Sequence, residues 1–129
     1  MDEKIKNSTR SEDEANITAT VFNYLKGYAN ADFAQLDGAF SNKAAMFGVV
    51  KNSGAEEVGV WPNMKETIER WSANETPPRN LTGEILHMNV VDGRIATVQL
   101  KFGDDYYDAL TLAKVNGTWK IVAKVFIYQ

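Results

Sequence analysis

The sequence predicts an α+β fold, a cone-like arrangement of three N-terminal helices packed on a strongly curved antiparallel β-sheet. Three observations support this. Apolar residues recur at helical spacing through the first part of the chain, as far as Trp71. From Asn80 onward the period changes to two. The alternating runs are separated by Asp92-Gly93 and Asn116-Gly117, residue types that tolerate the positive φ of a two-residue type I′ turn. Helices set against one face of an antiparallel sheet define the α+β class.

Taken in order, residues 1–10 are polar and expected to be a flexible N-terminus, and residues 11–129 a single domain. Ser11 and Glu14 have the spacing of a capping box. Ile17, Val21, Tyr24 and Tyr28 follow as a stripe widened by Phe22 and Leu25, giving a helix over about 12–30. Asp32 with Gln35 opens a second, short helix carrying Phe33, Leu36 and Phe40, so Asp32 reads as an N-cap. Ala44 to Val50 is a short apolar strand and Lys51 to Glu57 a turn or loop. Pro62 suits the start of a third helix carrying Met64, Ile68 and Trp71. Pro77-Pro78 stops it.

The hairpins then set which side chains share a face. With Val91 and Arg94 flanking the first turn, Asn89 pairs with Ala96, His87 with Val98, Ile85 with Leu100 and Glu84 with Lys101. A three-residue loop, Gly103 to Asp105, places Leu100 opposite Asp108 and Val98 opposite Leu110. With Val115 and Thr118 flanking the second turn, Ala113 pairs with Lys120, Leu112 with Ile121, Leu110 with Ala123 and Asp108 with Val125. His87, Asn89 and Asp108 thereby share the inner face with Leu110, Leu112, Ile121, Ala123 and Val125. The outer face takes Leu86, Met88, Val90, Ile95, Val122, Lys124 and Phe126. That face is too apolar to stay bare, so a homodimer through it is expected.

Composition excludes several function classes. The chain has 129 residues, a net charge of -3, one histidine and no cysteine. Disulfides, thiolate metal sites, a cysteine nucleophile and a histidine-rich metal centre are ruled out, and no basic surface points to nucleic acid. No apolar run is long enough to span a membrane, and the N-terminal segment lacks the apolar core of a signal peptide, so a cytoplasmic location is expected. There is no glycine-rich phosphate loop and no clustered acidic metal site; no cofactor is expected. Asn16-Ile17-Thr18, Asn74-Glu75-Thr76, Asn80-Leu81-Thr82 and Asn116-Gly117-Thr118 match glycosylation acceptors by chance.

The candidate chemistry is sparse. Imidazole as a side-chain type can serve as acid or base, so His87 is a candidate for either role, although a lone strand histidine is more often structural. Asp108 on an apolar face has to be paired, hydrogen-bonded, protonated or facing a wet cavity. Its candidate partners are Tyr28, Trp61 or a backbone amide. Tyr24, Tyr28, Trp61, Asn89 and Met46 are candidate ligand contacts, Tyr24 and Tyr28 each with a hydroxyl needing a partner. Lys124, assigned to the outer face, reads as an interface or solvent residue.

The segments TVFNYLKGYANADFAQLDGAF (20–40), WPNMKETIERW (61–71) and, most specifically, YYDALTLAKVNGTWKIVAKVF (106–126) resemble the nuclear-transport-factor-2-like superfamily, and within it the group named putative lumazine-binding or SnoaL-like. The resemblance runs from Ser11 to Tyr128. It implies a pocket between the first helix and the concave sheet, and commonly a homodimer. It implies no single activity, because the superfamily holds isomerases, dehydratases, cyclases and noncatalytic carriers. Three functions follow as expectations: a binding domain for a small apolar or aromatic ligand; a cofactor-independent isomerase, cyclase or dehydratase moving a proton with Asp108 or His87; and a dimeric assembly module.

Overall fold

Six strands form one sheet in the order β2-β1-β6-β5-β4-β3, with three helices against its inner face. The structure is a computed structural model and describes residues 9–129. The elements are α1 (Arg10–Asn30), α2 (Phe33–Ala39), β1 (Phe40–Asn52), β2 (Ala55–Trp61), α3 (Met64–Ser72), β3 (Gly83–Val91), β4 (Ile95–Phe102), β5 (Tyr106–Val115) and β6 (Thr118–Tyr128). The α+β class is as expected, but the sheet is mixed: β1 runs parallel to β6, and every other neighbouring pair is antiparallel. The third helix follows two strands rather than the single short strand expected at Ala44 to Val50. Among the described residues no helix is long and apolar enough to cross a membrane.

Helix α1 starts earlier than the Ser11 box predicts. Thr9 is the cap: its hydroxyl accepts from the Glu12 amide at 3.1 Å, and the Glu12 carboxylate accepts from the Thr9 amide at 2.8 Å. Such a box is worth about 1 kcal/mol. Thr9 and Arg10 thus belong to the domain; the rest of the expected flexible segment, residues 1–8, lies outside the described residues. The earlier start sets Asp13 in the first turn, where the Trp119 indole donates to it at 3.2 Å and the Lys114 ammonium lies at 2.8 Å. Asp32 caps α2 by accepting from the Gln35 amide, and Phe40, expected in that helix, begins β1 instead. The supposed loop 51–57 is a tight turn inside a hairpin. Ser53 and Gly54 both take positive φ, and β2 follows at once. Its alternation carries no core signal, because Val58 and Val60 face solvent on this edge strand.

The core joins Ile17, Val21, Tyr24 and Leu25 of α1 to Val98, Leu100, Leu110, Leu112 and Ile121 of the sheet, all of them buried. Each fully buried aliphatic side chain is worth roughly 1.5–3 kcal/mol, so this interface fixes which sheet face lies inward.

Two bulges decide the rest. Near the Asn116-Gly117 turn (φ 51° and 80°) the pairs Ala113–Lys120 and Leu112–Ile121 form as predicted. Val122 is then an extra residue on β6, and beyond it Leu110 faces Lys124 and Asp108 faces Phe126. One added residue flips every later side chain to the opposite face. Lys124 and Phe126, assigned outward by alternation, are buried inward; Ala123 and Val125 turn outward. On β3 the pairs Ile85–Leu100 and Glu84–Lys101 hold, but the register slips at Leu86. At the turn Val91 pairs with Ile95 and not, as expected, with Arg94, so Arg94 is an extra residue there; between it and Leu86, which restores the expected pairing, His87 faces Gln99 and Asn89 faces Thr97. Val90 is therefore buried and Met88 packs on the core, while His87 and Asn89 are exposed on the outer face. The loop between β4 and β5 keeps Leu100 opposite Asp108, as expected.

Candidate functional site

A cavity of about 250 Å³ opens between α1, α3 and the inner face of the sheet. Its walls are aromatic. Tyr24 and Tyr28 descend from α1 at one-turn spacing, and Trp71 closes over them from the end of α3. Phe102 and Tyr106 stand on β4 and β5. The rings of Tyr24 and Phe102 stack at 5.2 Å, and Tyr28 meets both Trp71 and Phe102 edge-on at 5.1 Å. Such offset and T-shaped pairs rigidify one another. Met46, Val50 and Trp61 complete the side under β1 and β2. Phe126 reaches Trp61 at 5.5 Å across Gly48. A Cβ at position 48 would sit 2.2 Å from the Phe126 ring, so glycine is required for this wall to close. Arg70 and Tyr128 are the exposed lining residues and mark the mouth.

The floor of this aromatic box is polar. Lys124 lines the cavity and is buried, with its Nζ between 4.9 and 5.7 Å from the ring centres of Tyr24, Trp71, Phe102 and Phe126. An ammonium at this distance from four ring faces is held by cation–π attraction. Behind it stands Asp108, whose Oδ2 lies 3.8 Å from Nζ and accepts a 2.6 Å hydrogen bond from the Tyr24 hydroxyl. The other carboxylate oxygen, Oδ1, is buried without a hydrogen-bond partner among the described residues. Burial pushes the Asp108 carboxyl above its ordinary range, opposed by the Lys124 charge and the Tyr24 bond. Burial likewise pushes Lys124 down, opposed by Asp108. The Tyr24 hydroxyl is driven well above the usual phenol range, first by burial and then by Asp108, and stays a donor. Tyr106, at the rim, is pushed up to about 12, chiefly by burial and then by Tyr128. The arrangement is an amine and a carboxyl whose proton affinities burial brings toward each other, bridged to a hydroxyl and open to a cavity. Such groups can hold an anionic oxygen or exchange a proton.

Of the residues singled out from sequence, Tyr24, Tyr28, Met46 and Trp61 line the cavity. Asp108 lies behind its floor, and its partner is Tyr24 rather than Tyr28, Trp61 or a backbone amide. His87 and Asn89 are not brought to it, because the extra residues Arg94 at the turn and Leu86 on β3 shift the stretch between them by one position and carry both to the opposite face. Lys124, which alternation carried through Val122 points outward, faces the cavity instead. The available signal was the unbroken run Ile121-Val122-Ala123, which fits neither phase of a half-buried strand. Among the described residues no three histidine, aspartate or glutamate side chains lie close enough together to hold a metal ion.

A wider concavity, about 570 Å³, lies at the other end of α1 between Arg10, Asp13, Asp92, Arg94 and Lys114. It is the larger of the two, but it is walled by charged side chains and a hairpin turn and offers no aromatic surface. Ligand sites are mainly apolar with few convergent polar groups, which describes the smaller cavity.

Several solved structures share this architecture. An NTF2-like protein of unknown function from Shewanella baltica OS155 superposes with a TM-score of 0.82 at 23% identity, over 95% of this chain and 98% of that one. An NTF-2 like protein of unknown function from Silicibacter pomeroyi DSS-3 gives 0.74 at 26%, over 95% and 100%. A ketosteroid isomerase-like protein from Erwinia carotovora atroseptica SCRI1043 gives 0.67 at 17%, over 91% and 96%. No functionally curated protein matches the sequence. Residues 12–127 match one family model across nearly the whole domain, and the chain therefore belongs to the family described as "Putative lumazine-binding".

Proposed function

We propose that the cavity binds a small, flat, largely apolar molecule bearing a carbonyl or carboxylate oxygen, and that Lys124 receives that oxygen. One observation carries the reading. The Lys124 ammonium lines an aromatic cavity with its nearest carboxylate oxygen at 3.8 Å, beyond hydrogen-bond reach, so its N–H groups are available to a ligand. At about 250 Å³ the cavity is at the small end for ligand sites, roughly 300–1,000 Å³, which suits one or two fused rings. A lumazine shares the flat fused rings and carbonyl oxygens, though its ring nitrogens make it more polar, and it is the compound that the family description names. Lumazine and 2-naphthoate are the first compounds to titrate, following fluorescence from Trp61 and Trp71. Saturable quenching that weakens about tenfold or more in Lys124→Met supports the reading, since a charged hydrogen bond is worth about 1.5–3 kcal/mol. Quenching indifferent to that substitution refutes it.

A second reading, an isomerase, cyclase or dehydratase, is favoured by the Tyr24–Asp108–Lys124 chain, with Asp108 as proton acceptor. His87 has no part in it. Turnover of a bound ketone lost in Asp108→Asn with binding kept distinguishes this from simple binding. We further propose that a second copy of the chain covers the outer sheet face. The registers there expose Leu86, Ile95, Tyr107, Val125 and Ile127, in place of Met88 and Phe126. Monomer mass by sedimentation at micromolar concentration excludes this assembly.

A further inference from the structure

We infer that the ligand class is an aldehyde or ketone, and that Lys124 holds it covalently as an imine. This rests on the cavity being the binding site and adds what the bond is. Among the described residues Lys124 and Arg70 are the only basic side chains lining the cavity; of these Lys124 alone carries an amine and sits on its floor. Its nitrogen has no hydrogen-bond acceptor within reach among the described residues, so deprotonation sacrifices no hydrogen bond. The rings of Tyr24, Trp71, Phe102 and Phe126 surround it and the lysine is buried, an environment that favours a dehydrated product. The same four rings and Asp108 favour a positive charge at the nitrogen. An iminium keeps that charge where the ammonium had it, so the surroundings stabilise reactant and product alike. Burial also weakens the hold of Lys124 on its proton, as in other lysines that act as nucleophiles from apolar pockets.

The step balances within the site. A turn of the flexible lysine side chain brings Nζ from 3.8 Å to within hydrogen-bond reach of Asp108, which takes a proton from the ammonium, and the freed Nζ pair attacks the carbonyl carbon. The carbon–oxygen π pair moves to oxygen, which takes that proton. A second nitrogen proton follows the same route as the carbon–oxygen bond breaks, water leaves, and the nitrogen pair closes the carbon–nitrogen double bond. Ammonium and carbonyl become iminium and one water, with two ammonium protons leaving on oxygen and one staying on nitrogen. Nothing is oxidised or reduced. Tyr24, through its 2.6 Å bond to Asp108, is a positioning residue that holds the carboxylate near Nζ.

The test uses 2-naphthaldehyde with sodium cyanoborohydride, which reduces an imine to a stable amine, and 2-naphthylmethanol as a noncovalent isostere. Peptide mass mapping reads one naphthylmethyl group on Lys124, formed about tenfold or more faster than on the exposed Lys26 and Lys65 of the same molecules. The alcohol quenches tryptophan fluorescence without labelling. Lys124→Arg keeps the charge and loses the adduct; should it fold poorly by circular dichroism, the comparison among lysines within the unmodified chain still decides. If the alcohol binds while the aldehyde labels lysines only according to their exposure, the imine is overturned and the binding site stands. If neither compound binds, the reading of the cavity falls and the imine with it.

Discussion

Asp13 and Asp108 are both buried, both face a lysine from the sheet and both accept a hydrogen bond from an aromatic side chain, yet they lie at ends of the molecule with different characters. At the Asp13 end the lysine is close, 2.8 Å, and partly exposed, and the surrounding concavity is charged. At the Asp108 end the lysine stands off at 3.8 Å, fully inside, with one carboxylate oxygen unpartnered and an aromatic cavity beyond. A close pair at a helix start supports structure. A loose pair whose partners are each imperfectly satisfied costs stability, and its orientation toward a cavity is what makes it a candidate for chemistry.

The comparison is broken first by removing one lysine at a time. Lys124→Met leaves Asp108 as an uncompensated buried charge and should cost about 3 kcal/mol or more in urea unfolding. Lys114→Met should cost less than half of that, because the Trp119 bond to Asp13 remains and the site is partly wet. Equal losses would erase the distinction. The double variant Asp108→Asn with Lys124→Met should recover much of the single loss, since a buried pair can be replaced nearly neutrally.

The pH dependence sharpens the same contrast. The folded Asp108 pKa is already raised, and removing the Lys124 charge that lowers it raises it further. A carboxyl with a raised folded pKa gains stability as pH falls through that value toward its unfolded one. Lys124→Met should therefore recover stability, relative to the unmodified chain, from neutral to mildly acidic pH. A deficit constant over that range would deny that Asp108 is the destabilising charge.

Tyr24→Phe removes the 2.6 Å bond to a carboxylate and should cost about 2 kcal/mol. Carboxyl carbon NMR should show the Asp108 pKa moving up, because this bond lowers it; no movement would mean that the bond does not form in solution. Gly48→Ala pushes a methyl into the Phe126 ring and should cost about 1–2 kcal/mol, with ligand quenching weakened as the wall shifts. The smallest effect is expected at His87, exposed on the outer face: His87→Ala should change stability by less than about 0.5 kcal/mol and leave ligand binding unchanged.

Much of this architecture could be read from residues alone. The α1 stripe, the Asn-Gly and Asp-Gly turns, the loop to β5 and the burial of Asp108 follow from periodicity and turn chemistry. The site was only partly legible, because strand alternation carries no mark of where it restarts. After Ile121 both phases are partly apolar, Val122 and Phe126 on one and Ala123 and Val125 on the other, so the pattern cannot choose between them. Ile85-Leu86 poses the same ambiguity for His87. The choice is made by packing: Phe126 fits only because residue 48, on a strand far away in sequence, has no side chain.

The position of β6 has a consequence for the order of assembly. It is the last strand in the chain but lies between β1 and β5 in the sheet, joining the first hairpin to the meander. A nascent chain that has not yet released β6 holds β1–β2 and β3–β5 as two separate pieces with unpaired edges, and it lacks the cavity floor. The seam closes only on β1–β6 pairings some eighty residues apart, such as Phe40 with Ile121, the kind of long-range contact that slows folding. On the ribosome, the half-formed sheet presents open strand edges to its surroundings until the final strand emerges, and that interval is when this chain is most exposed to mispairing.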